Sequence, residues 1–259
     1  MMKVNKASLF AAFLSATTGS VLAADAKPTV VLVHGAFADA SSWNGVIGEL
    51  EKDGFPVVAV ANPLRSVKFD ADYVRRVVAG IEGPVVLVGH SYGGSVINDA
   101  AVPKSNVKAL VFVAAFAPER GETAAELSGK FPGSTLGSAL AKPVVLEGGQ
   151  KDLYIEQSRF HEQFAADVSN AQADLMAATQ RPITEEALSE PSVSAAWKSI
   201  PSWFVYGDAD KNIPPRALGW MAERAGSKGT VVVKGGSHVV MVSNPITVTR
   251  LIEDAARRD

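Results

Sequence analysis

The chain has 259 residues and carries 25 Lys and Arg against 27 Asp and Glu, which gives a formal net charge of −2. This near-neutral balance gives the protein no electrostatic reason to bind nucleic acid or anionic lipid. The chain contains no Cys, so it needs no disulfide and offers no thiolate metal site. Its length is sufficient for one well-buried hydrophobic core.

The N-terminal end, residues 1–23, has the pattern of a cleavable secretory signal peptide. Lys3 and Lys6 give it a basic start, an apolar run follows, and small residues precede a cleavage position after Ala23. An N-terminal membrane anchor is the alternative, but Ser, Thr and Gly interrupt the apolar run, which is short for a membrane span. We therefore expect a periplasmic or secreted protein, residues 24–259, with no stable membrane insertion after cleavage.

Apolar runs and helical patterns alternate along the rest of the chain. The predicted strands cover residues 28–33, 55–60, 85–88, 107–114, 201–206 and 230–234. The first predicted helix runs from a cap at 39–42 to about 53, and the second covers 69–81. A third follows the turn at 89–93 and continues through 99–100. The last two cover 215–225 and 245–257. In the helix at 69–81, we expect Tyr73, Val77 and Ile81 to be the buried stripe. The alternation predicts an α/β fold with a mostly parallel, doubly wound sheet that helices cover on both faces.

A segment from about residue 116 to 199 interrupts this alternation and is too long for an ordinary connection between strands. Helical patterns lie around residues 155–168, 170–179 and 184–188. We expect a mostly helical lid, inserted between two strands of a single domain. Its larger apolar side chains could line a pocket or could simply pack the lid onto the body: Phe131, Leu136, Tyr154, Phe160, Phe164, Leu175, Met176 and Trp197.

The stretch Gly89-His-Ser-Tyr-Gly93 follows an apolar strand and precedes a helix. A strand, a G-x-S-x-G turn and a helix form the context of a nucleophile elbow, whose middle residue has a strained backbone. Gly89 and Gly93 flank Ser91 because a Cβ at either position would clash across the tight turn. Ser91 is therefore the predicted nucleophile. The alternative is a Gly-rich loop between a strand and a helix in some other α/β protein.

Backbone amides near Ser91 could form an oxyanion hole. The amide of Tyr92, the residue after the nucleophile, is one predicted donor. The first predicted strand runs into His34-Gly-Ala-Phe37, where we expect the amide of Ala36 to be the second donor, with that of Phe37 as the alternative. His34 could itself be a base, although a hydrogen bond to its own loop is the expected role.

A serine nucleophile needs a base, and the base needs an acidic partner that fixes its tautomer. Asp208 and Asp210 follow one predicted strand, and His238 follows the last one. The carboxyl ends of parallel strands share one edge of the sheet, so these residues can converge on Ser91. The order Ser, Asp, His along the chain is that of the α/β-hydrolases. A buried structural histidine is the alternative reading of His238.

These motifs resemble those of the α/β-hydrolases over essentially all of the chain after residue 23. The chain is particularly similar to small, esterase-like bacterial serine hydrolases that carry three motifs. These are a His-Gly-Ala-(Phe/Trp)-Ala-Asp stretch, a Gly-His-Ser-Tyr-Gly-Gly elbow and a Gly-Ser-His near the end, here at 34–39, 89–94 and 236–238. The resemblance implies the α/β-hydrolase fold.

The same resemblance implies which carboxylate is the acid. In the Gly-x-x-Asp pattern of the family, the fourth position carries the acid, which is Asp210 here, and Asp208 would brace the turn. A rarer variant places the acid after the preceding strand, where Glu119 and Glu122 lie.

The function expected from these residues is cleavage of a small or medium carboxylic ester through an acyl-enzyme, with Ser91, His238 and Asp210 as the triad. No cofactor or metal is implied, because no cluster of side chains has metal-ligand spacing and the phosphate-loop signatures are absent. The family also contains lyases and cofactor-free perhydrolases or haloperoxidases, so such an activity in the same pocket is the first alternative. A non-catalytic binding protein of the same fold is the second.

Overall fold

The computed structural model describes residues 27–102 and 105–257. The predicted signal peptide, residues 1–23, lies outside the described residues. Among the described helices, none has the length and apolar character needed to cross a lipid bilayer.

Strands and helices alternate through the first and last parts of the described chain. The strands are β1 (Thr29–Val33), β2 (Val57–Val60), β3 (Val85–His90), β4 (Val107–Val113), β5 (Val144–Val145), β6 (Lys151–Leu153), β7 (Ile183–Thr184), β8 (Ser202–Gly207) and β9 (Gly229–Val233). The α-helices are α1 (Asn44–Lys52), α2 (Val67–Ala79), α3 (Gly93–Ala100), α4 (Ala124–Gly129), α5 (Leu136–Ala139), α6 (Gln157–Phe164), α7 (Asn170–Thr179), α8 (Glu185–Ser189), α9 (Pro215–Arg224), α10 (Val240–Ser243) and α11 (Pro245–Arg257). Short 3-10 helices lie at Ala40–Trp43 and Ala196–Lys198.

Six strands form one sheet in the order β2-β1-β3-β4-β8-β9, and all neighbouring pairs are parallel. Every residue of β3 is buried, as are nearly all those of β1 and β4. Such continuous apolar runs are expected of strands with helices on both faces of the sheet. The predicted α/β-hydrolase fold, with its mostly parallel sheet, is confirmed.

Helices cover the sheet in packed groups. Helix α11 packs against α1 and lies on β4 and β8, whereas α2 packs against α3, which lies on β3. Because all six strands run in the same direction, the loops after β1, β3, β8 and β9 meet at one edge. This edge carries the site described below.

The buried face of α2 differs from the predicted one. The helix buries Val67, Asp70, Ala71, Val74 and Val78, whereas Tyr73 is 41% exposed. Carboxylates are seldom fully buried, so the sequence alone does not show that Asp70 belongs to the buried face. The carboxylate is instead buried against a hydrogen-bonding partner, the Tyr92 hydroxyl.

The segment between β4 and β8, residues 116–199, is called the insertion below. Helices α4 to α8 make up most of its regular structure, as predicted. It also contains a small antiparallel sheet, β5-β6-β7, that the sequence did not predict. Its strands have only two or three residues each, which is too short for an alternating pattern to be recognised.

Candidate active site

The loop after β3 has the geometry of a nucleophile elbow. Ser91 follows the end of β3 directly, and α3 begins two residues later at Gly93. The φ angle of Ser91 is +54°, a left-handed conformation that is rare for a residue with a side chain. Such strain is found mainly at functional sites, where the surrounding structure maintains it. The amide of Ser91 donates to the carbonyl of Val113, which ties the turn to β4.

Two glycines allow the turn to be this tight. A Cβ on Gly89 would lie 2.5 Å from the carbonyl oxygen of Gly93, across the elbow. A Cβ on Gly35 would lie 2.7 Å from the Cβ of Ser91. Contacts this short do not occur in real proteins, so only glycine fits at either position. The close approach at Gly35 also places the loop after β1 directly beside Ser91.

Of the two candidate donor amides in the loop after β1, that of Ala36 has no hydrogen bond to another described residue. The Phe37 amide donates to the carbonyl of Arg181 at 3.0 Å, so the alternative oxyanion donor already has a partner. Ala36 lines the same cavity as Ser91, whose hydroxyl is the predicted nucleophile, and Tyr92, whose amide is the other predicted donor. The geometry thus favours Ala36 over Phe37 as the donor that accompanies Tyr92.

His34 has a structural environment. Its Nδ1 is 2.9 Å from the carbonyl oxygen of Gly35, and its Nε2 is 3.1 Å from the amide nitrogen of Asn62, which donates to it. The Asn62 side chain returns a hydrogen bond to the His34 carbonyl. Burial lowers the pKa of His34 from 6.5 to about 4, so the ring is neutral at pH 7. As expected, His34 holds its own loop.

Asp210 and His238 form a buried pair at the ends of β8 and β9. The Nδ1 of His238 lies 2.6 Å from the Oδ2 of Asp210, and both side chains are almost completely buried. The other carboxylate oxygen accepts hydrogen bonds from the amides of Asn212 and Ile213, at 2.8 and 3.0 Å. With Nδ1–H donated to Asp210, the Nε2 of His238 is left as the nitrogen that can accept a proton.

Two contacts hold the loops of this pair together. A Cβ on Gly207 would lie 1.9 Å from the carbonyl oxygen of Gly236, so the two backbones touch. Asp208 accepts a hydrogen bond of 2.6 Å from the amide of Gly235. Asp208 therefore braces the turn, as expected, while Asp210 is the carboxylate that contacts the histidine.

The alternative acids after β4 have other partners. Glu119 forms an ion pair with Lys198, and Glu122 forms one with Arg224 at 2.8 Å. Their carboxylates are thus committed to holding parts of the insertion and α9. The structure brings Asp210, and neither glutamate, to His238.

His90 lies beside the Asp210–His238 pair and is neutral. Its Nε2 is 3.1 Å from the carbonyl oxygen of His238, to which it donates, and the two rings are 4.8 Å apart. Burial holds the pKa of His90 well below 6.5, and the nearby His238 acts in the same direction. A neutral His90 can therefore lie against His238, with the two rings tilted by 53°, without charge repulsion.

Ser91 and His238 line the same cavity. Among the described residues, no hydrogen bond joins their side chains, and such bonds are often long until a substrate is bound. The cavity has a volume of about 310 Å³, at the small end of typical ligand pockets. Its walls are mainly apolar and include no Lys, Arg, Asp or Glu: Ala36, Phe37, Ser91, Tyr92, Phe116, Ala124, Ala125, Ser128, Gly129, Ser134, Leu136, Gly137, Leu140, Phe164, Leu188, Asn212, Ile213 and His238.

Some of the apolar residues singled out in the insertion reach this cavity. Leu136 and Phe164 line it, whereas Leu175 is 64% exposed and Trp197 is buried elsewhere, with its Nε1 donating to the Pro118 carbonyl. The lining residues that the sequence did not single out include Phe116 and Leu188. Their apolar character gave no signal that separated them from ordinary core residues.

A second buried pair supports the elbow from α2. The hydroxyl of Tyr92 donates to Asp70 at 2.9 Å, and neither side chain is exposed. Burial raises the pKa of Asp70 to about 6, although its hydrogen bonds oppose that shift. Burial and the Asp70 charge also raise the pKa of Tyr92 well above 10. This anchor beside Ser91 was not predicted.

Among the described residues, no group of three or more His, Asp or Glu side chains is arranged to hold a metal ion. Titratable groups at the sheet edge instead form pairs, among them His238 with Asp210 and Tyr92 with Asp70. An acid, a histidine and a strained serine beside an apolar cavity can carry out nucleophilic acyl transfer.

The family follows from a comparison with known proteins. Residues 30–250 match the model of a family described as "Alpha/beta hydrolase family". This match covers most of the chain, and the chain therefore belongs to the α/β-hydrolase family. Its homologues and structural neighbours are enzymes, mainly hydrolases and esterases.

Individual relatives differ in their chemistry. An "Alpha/beta hydrolase nvfD" of Aspergillus novofumigatus is 27% identical, over 89% of this chain and 97% of its own. An "Alpha-hydroxynitrile lyase" of Arabidopsis thaliana is 26% identical, over 85% of this chain and 93% of its own. The solved structure of polyneuridine aldehyde esterase superposes with a TM-score of 0.76 at 21% identity, over 88% of this chain and 98% of that one. The last likeness bears on the fold alone.

Proposed function

We propose that this protein is a serine hydrolase that cleaves small or medium carboxylic esters through an acyl-enzyme. The observation that carries the proposal is the buried His238–Asp210 contact of 2.6 Å at the rim of a cavity that also contains Ser91. Ser91 is the nucleophile, His238 the base and Asp210 the acid that orients it. The amides of Ala36 and Tyr92 stabilise the oxyanion.

The reaction takes place in two halves. His238 Nε2 accepts the proton of the Ser91 hydroxyl as Oγ attacks the ester carbonyl carbon. The carbon–oxygen bond to the alcohol then breaks, and His238 returns the proton to the departing alkoxide. In the second half His238 activates a water molecule, which attacks the acyl-serine, and the carboxylic acid leaves as Ser91 regains its proton.

The cavity lining supports a neutral substrate with apolar groups on either side of the ester. None of its walls carries a charged side chain, and burying an unpaired charge there would cost several kcal/mol, on the order of the penalties measured for buried ions. The polar groups that remain are few, among them Ser128 and Asn212. A volume of about 310 Å³ suits a substrate of modest size.

Hydrolysis of a p-nitrophenyl ester series, from acetate to long chains, tests this proposal. We expect turnover that peaks at short or medium chains and that falls by about 10⁴-fold or more in Ser91→Ala. The control is Ser138→Ala, which removes an exposed hydroxyl that donates to the Thr135 carbonyl. A wild-type protein that hydrolyses none of the series, or a Ser91→Ala variant that is fully active, would contradict the proposal.

A lyase that acts in the same cavity is the second candidate, favoured by the hydroxynitrile lyase among the relatives. Product analysis with a cyanohydrin separates the two. Release of cyanide and an aldehyde without ester turnover would favour the lyase. A fluorophosphonate that labels wild type but not Ser91→Ala would argue against a non-catalytic binding protein.

We also propose that residues 1–23 direct export of the protein and are removed in the process. The support is the basic start at Lys3 and Lys6, the apolar run and the small residues before position 24. N-terminal sequencing of the protein recovered from the periplasm or medium should begin near residue 24. Full-length protein that remains in the membrane fraction would support an anchor instead.

A further inference from the structure

The end of α6 contacts both loops that carry the acid–base pair. Gln163, near the end of the helix, reaches the loop after β8, and Asp167, just beyond the helix, reaches the loop after β9. Both belong to the insertion, far from the sheet in sequence. Neither lines the cavity, so neither can contact a substrate there.

Gln163 is fixed between the insertion and the acid loop. Its Nε2 donates to the Oδ1 of Asn212 at 2.8 Å and to the carbonyl of Lys211 at 2.9 Å. Its Oε1 accepts a hydrogen bond of 2.8 Å from the Thr135 hydroxyl, which fixes which end of the amide faces the loop. The backbone amide of Asn212 is in turn one of the two donors to the Asp210 carboxylate. The chain of bonds thus runs from Thr135 to the carboxylate.

Asp167 has the corresponding place at the base loop. It accepts a short hydrogen bond from the hydroxyl of Ser237, the residue directly before His238. The Ser237 hydroxyl also lies 3.4 Å from the carbonyl oxygen of Phe164 and accepts from the Val239 amide. These contacts hold the backbone on both sides of His238.

Phe164 occupies the space between these two polar contacts. Its ring lies 5.1 Å from the ring of His238, in an edge arrangement, and it forms part of the cavity wall. The ring fills the side of His238 that faces the insertion, which limits how far the imidazole can turn. The helix end thus contacts the acid loop, the base loop and the base itself.

We propose that Gln163 and Asp167 are positioning residues, which hold the Asp210 and His238 loops in register so that the acid–base pair stays aligned with Ser91. The inference rests on the proposed serine-hydrolase mechanism. It makes the insertion a part of the catalytic machinery in addition to a wall of the cavity. Misplacement of reacting groups by as little as 1 Å can cost about 100-fold in rate, so loosened loops should lower kcat and leave KM almost unchanged.

The test compares Gln163→Leu and Asp167→Ala with neighbours that have similar chemistry but no contact with the loop interior. Glu162→Gln is the control for the first, because Glu162 pairs with Lys211 only from the exposed surface. Asp174→Ala, at an exposed position of α7, is the control for the second. We expect kcat on the best p-nitrophenyl ester to fall about 10-fold or more in the two test variants, with KM within about twofold of wild type. The controls should match wild type.

Proton NMR supplies a readout that needs no turnover. The proton between His238 Nδ1 and Asp210 should give a resolved downfield signal in wild type, because the hydrogen bond is short and both side chains are buried away from exchange with solvent. We expect this signal to broaden or vanish in Gln163→Leu and Asp167→Ala and to persist in both controls. If wild type cleaves no ester, the proposed function fails, and the proton signal still decides the positioning role.

Two results would overturn the inference. One is a folded Gln163→Leu variant with wild-type kcat. The other is a fall in kcat with an unchanged proton signal, which would leave Gln163 with a general structural role. If Gln163→Leu does not fold, Thr135→Val decides instead, since it removes the hydrogen bond that orients the Gln163 amide towards Asn212. A lower kcat and a broader signal in that variant support the inference, and wild-type behaviour overturns it.

Discussion

In the parallel sheet, neighbouring elements meet through apolar side chains and backbone, whereas the insertion adds to its apolar contacts a set of hydrogen-bonding side chains that join it to the rest of the molecule. Strands β1, β3 and β4 consist mainly of Val, Leu and other apolar residues, and their loops approach one another at glycines. The insertion is attached by polar groups such as Asn98, Asp99 and Arg65, each with several partners in it. The first kind of contact follows a periodic pattern, and the second depends on individual pairs.

Among the contacts of the sheet, the one between the backbones of Gly207 and Gly236 should have the largest effect on stability when it is disrupted. In Gly207→Ala, the new Cβ would lie 1.9 Å from the Gly236 carbonyl oxygen, so β8 and the loop that carries His238 must move apart. We expect a loss of about 4 kcal/mol or more of unfolding free energy, measured by urea denaturation, and loss of esterase activity.

Gly48→Ala is the matched control for that variant. Gly48 lies within α1, and a Cβ added there would meet nothing within 4 Å. Alanine in a helix interior is favoured over glycine, so we expect a gain of about 0.5–1 kcal/mol. Equal destabilisation by the two substitutions would show that the Gly207 contact does not limit the packing of the two loops.

The sequence was most informative about the parallel sheet and the loops at its edge. Alternating strands and helices predicted the six-stranded sheet, and the glycines around Ser91 predicted the tight elbow. The position of Asp210 rested on a resemblance, and the structure brings that carboxylate to His238. These features depend on local periodicity and on close backbone approaches, which leave a clear trace in a single sequence.

Features that depend on a distant partner left no such trace. Asp70 has the character of a surface residue until Tyr92 is placed beside it, and the buried face of α2 is centred on Asp70 and Val74, away from the exposed Tyr73. Gln163 and Asp167 are ordinary polar residues of a helical segment until the loops after β8 and β9 are folded against them. A tertiary contact between polar groups has no period, and single-sequence reasoning cannot locate it.

Asp70 offers a pH-dependent test of a polar contact inside the core. Burial raises its pKa from 3.8 to about 6, so the folded state binds this proton more tightly than the unfolded state. The stability that protonation of Asp70 contributes is fully present below about pH 3.8 and is lost as the pH rises through about 6. Asp70→Asn cannot ionise, so its unfolding free energy should rise relative to wild type by up to about 3 kcal/mol between about pH 4 and pH 7.

Denaturation at several pH values measures this difference, and Asp72→Asn is its control. Asp72 lies on the same helix, but its side chain is 47% exposed and pairs with Arg75 and Arg76 at the surface. We expect its effect to stay within about 1 kcal/mol at every pH. A gap between Asp70→Asn and wild type that does not change with pH would contradict the buried, shifted carboxyl.

Asn98 tests whether polar side chains attach the insertion to the rest of the molecule. Its buried side chain donates to the Ser194 carbonyl at 2.9 Å and accepts from the Ala196 amide at 2.9 Å, which joins α3 to the end of the insertion. Asn98→Ala leaves both backbone groups without these partners, and we expect a loss of about 2 kcal/mol of unfolding free energy. Asn170→Ala, at an exposed position, should change it by less than about 0.5 kcal/mol. Equal effects would mean that Asn98 does not attach the insertion.

Arg65 should give the smallest effect, because its contact with the insertion is partly exposed. Its Nη1 lies 2.7 Å from Asp152 in β6, and its Nη2 donates to the carbonyl of Pro182 beside β7. Lysine keeps the charge but cannot make both contacts at once, so Arg65→Lys should cost about 1 kcal/mol. Amide hydrogen exchange should rise selectively in the small sheet β5-β6-β7. Arg76→Lys, which alters an exposed pair within α2, should leave that exchange unchanged, and similar exchange in the two variants would show that Arg65 does not hold this sheet.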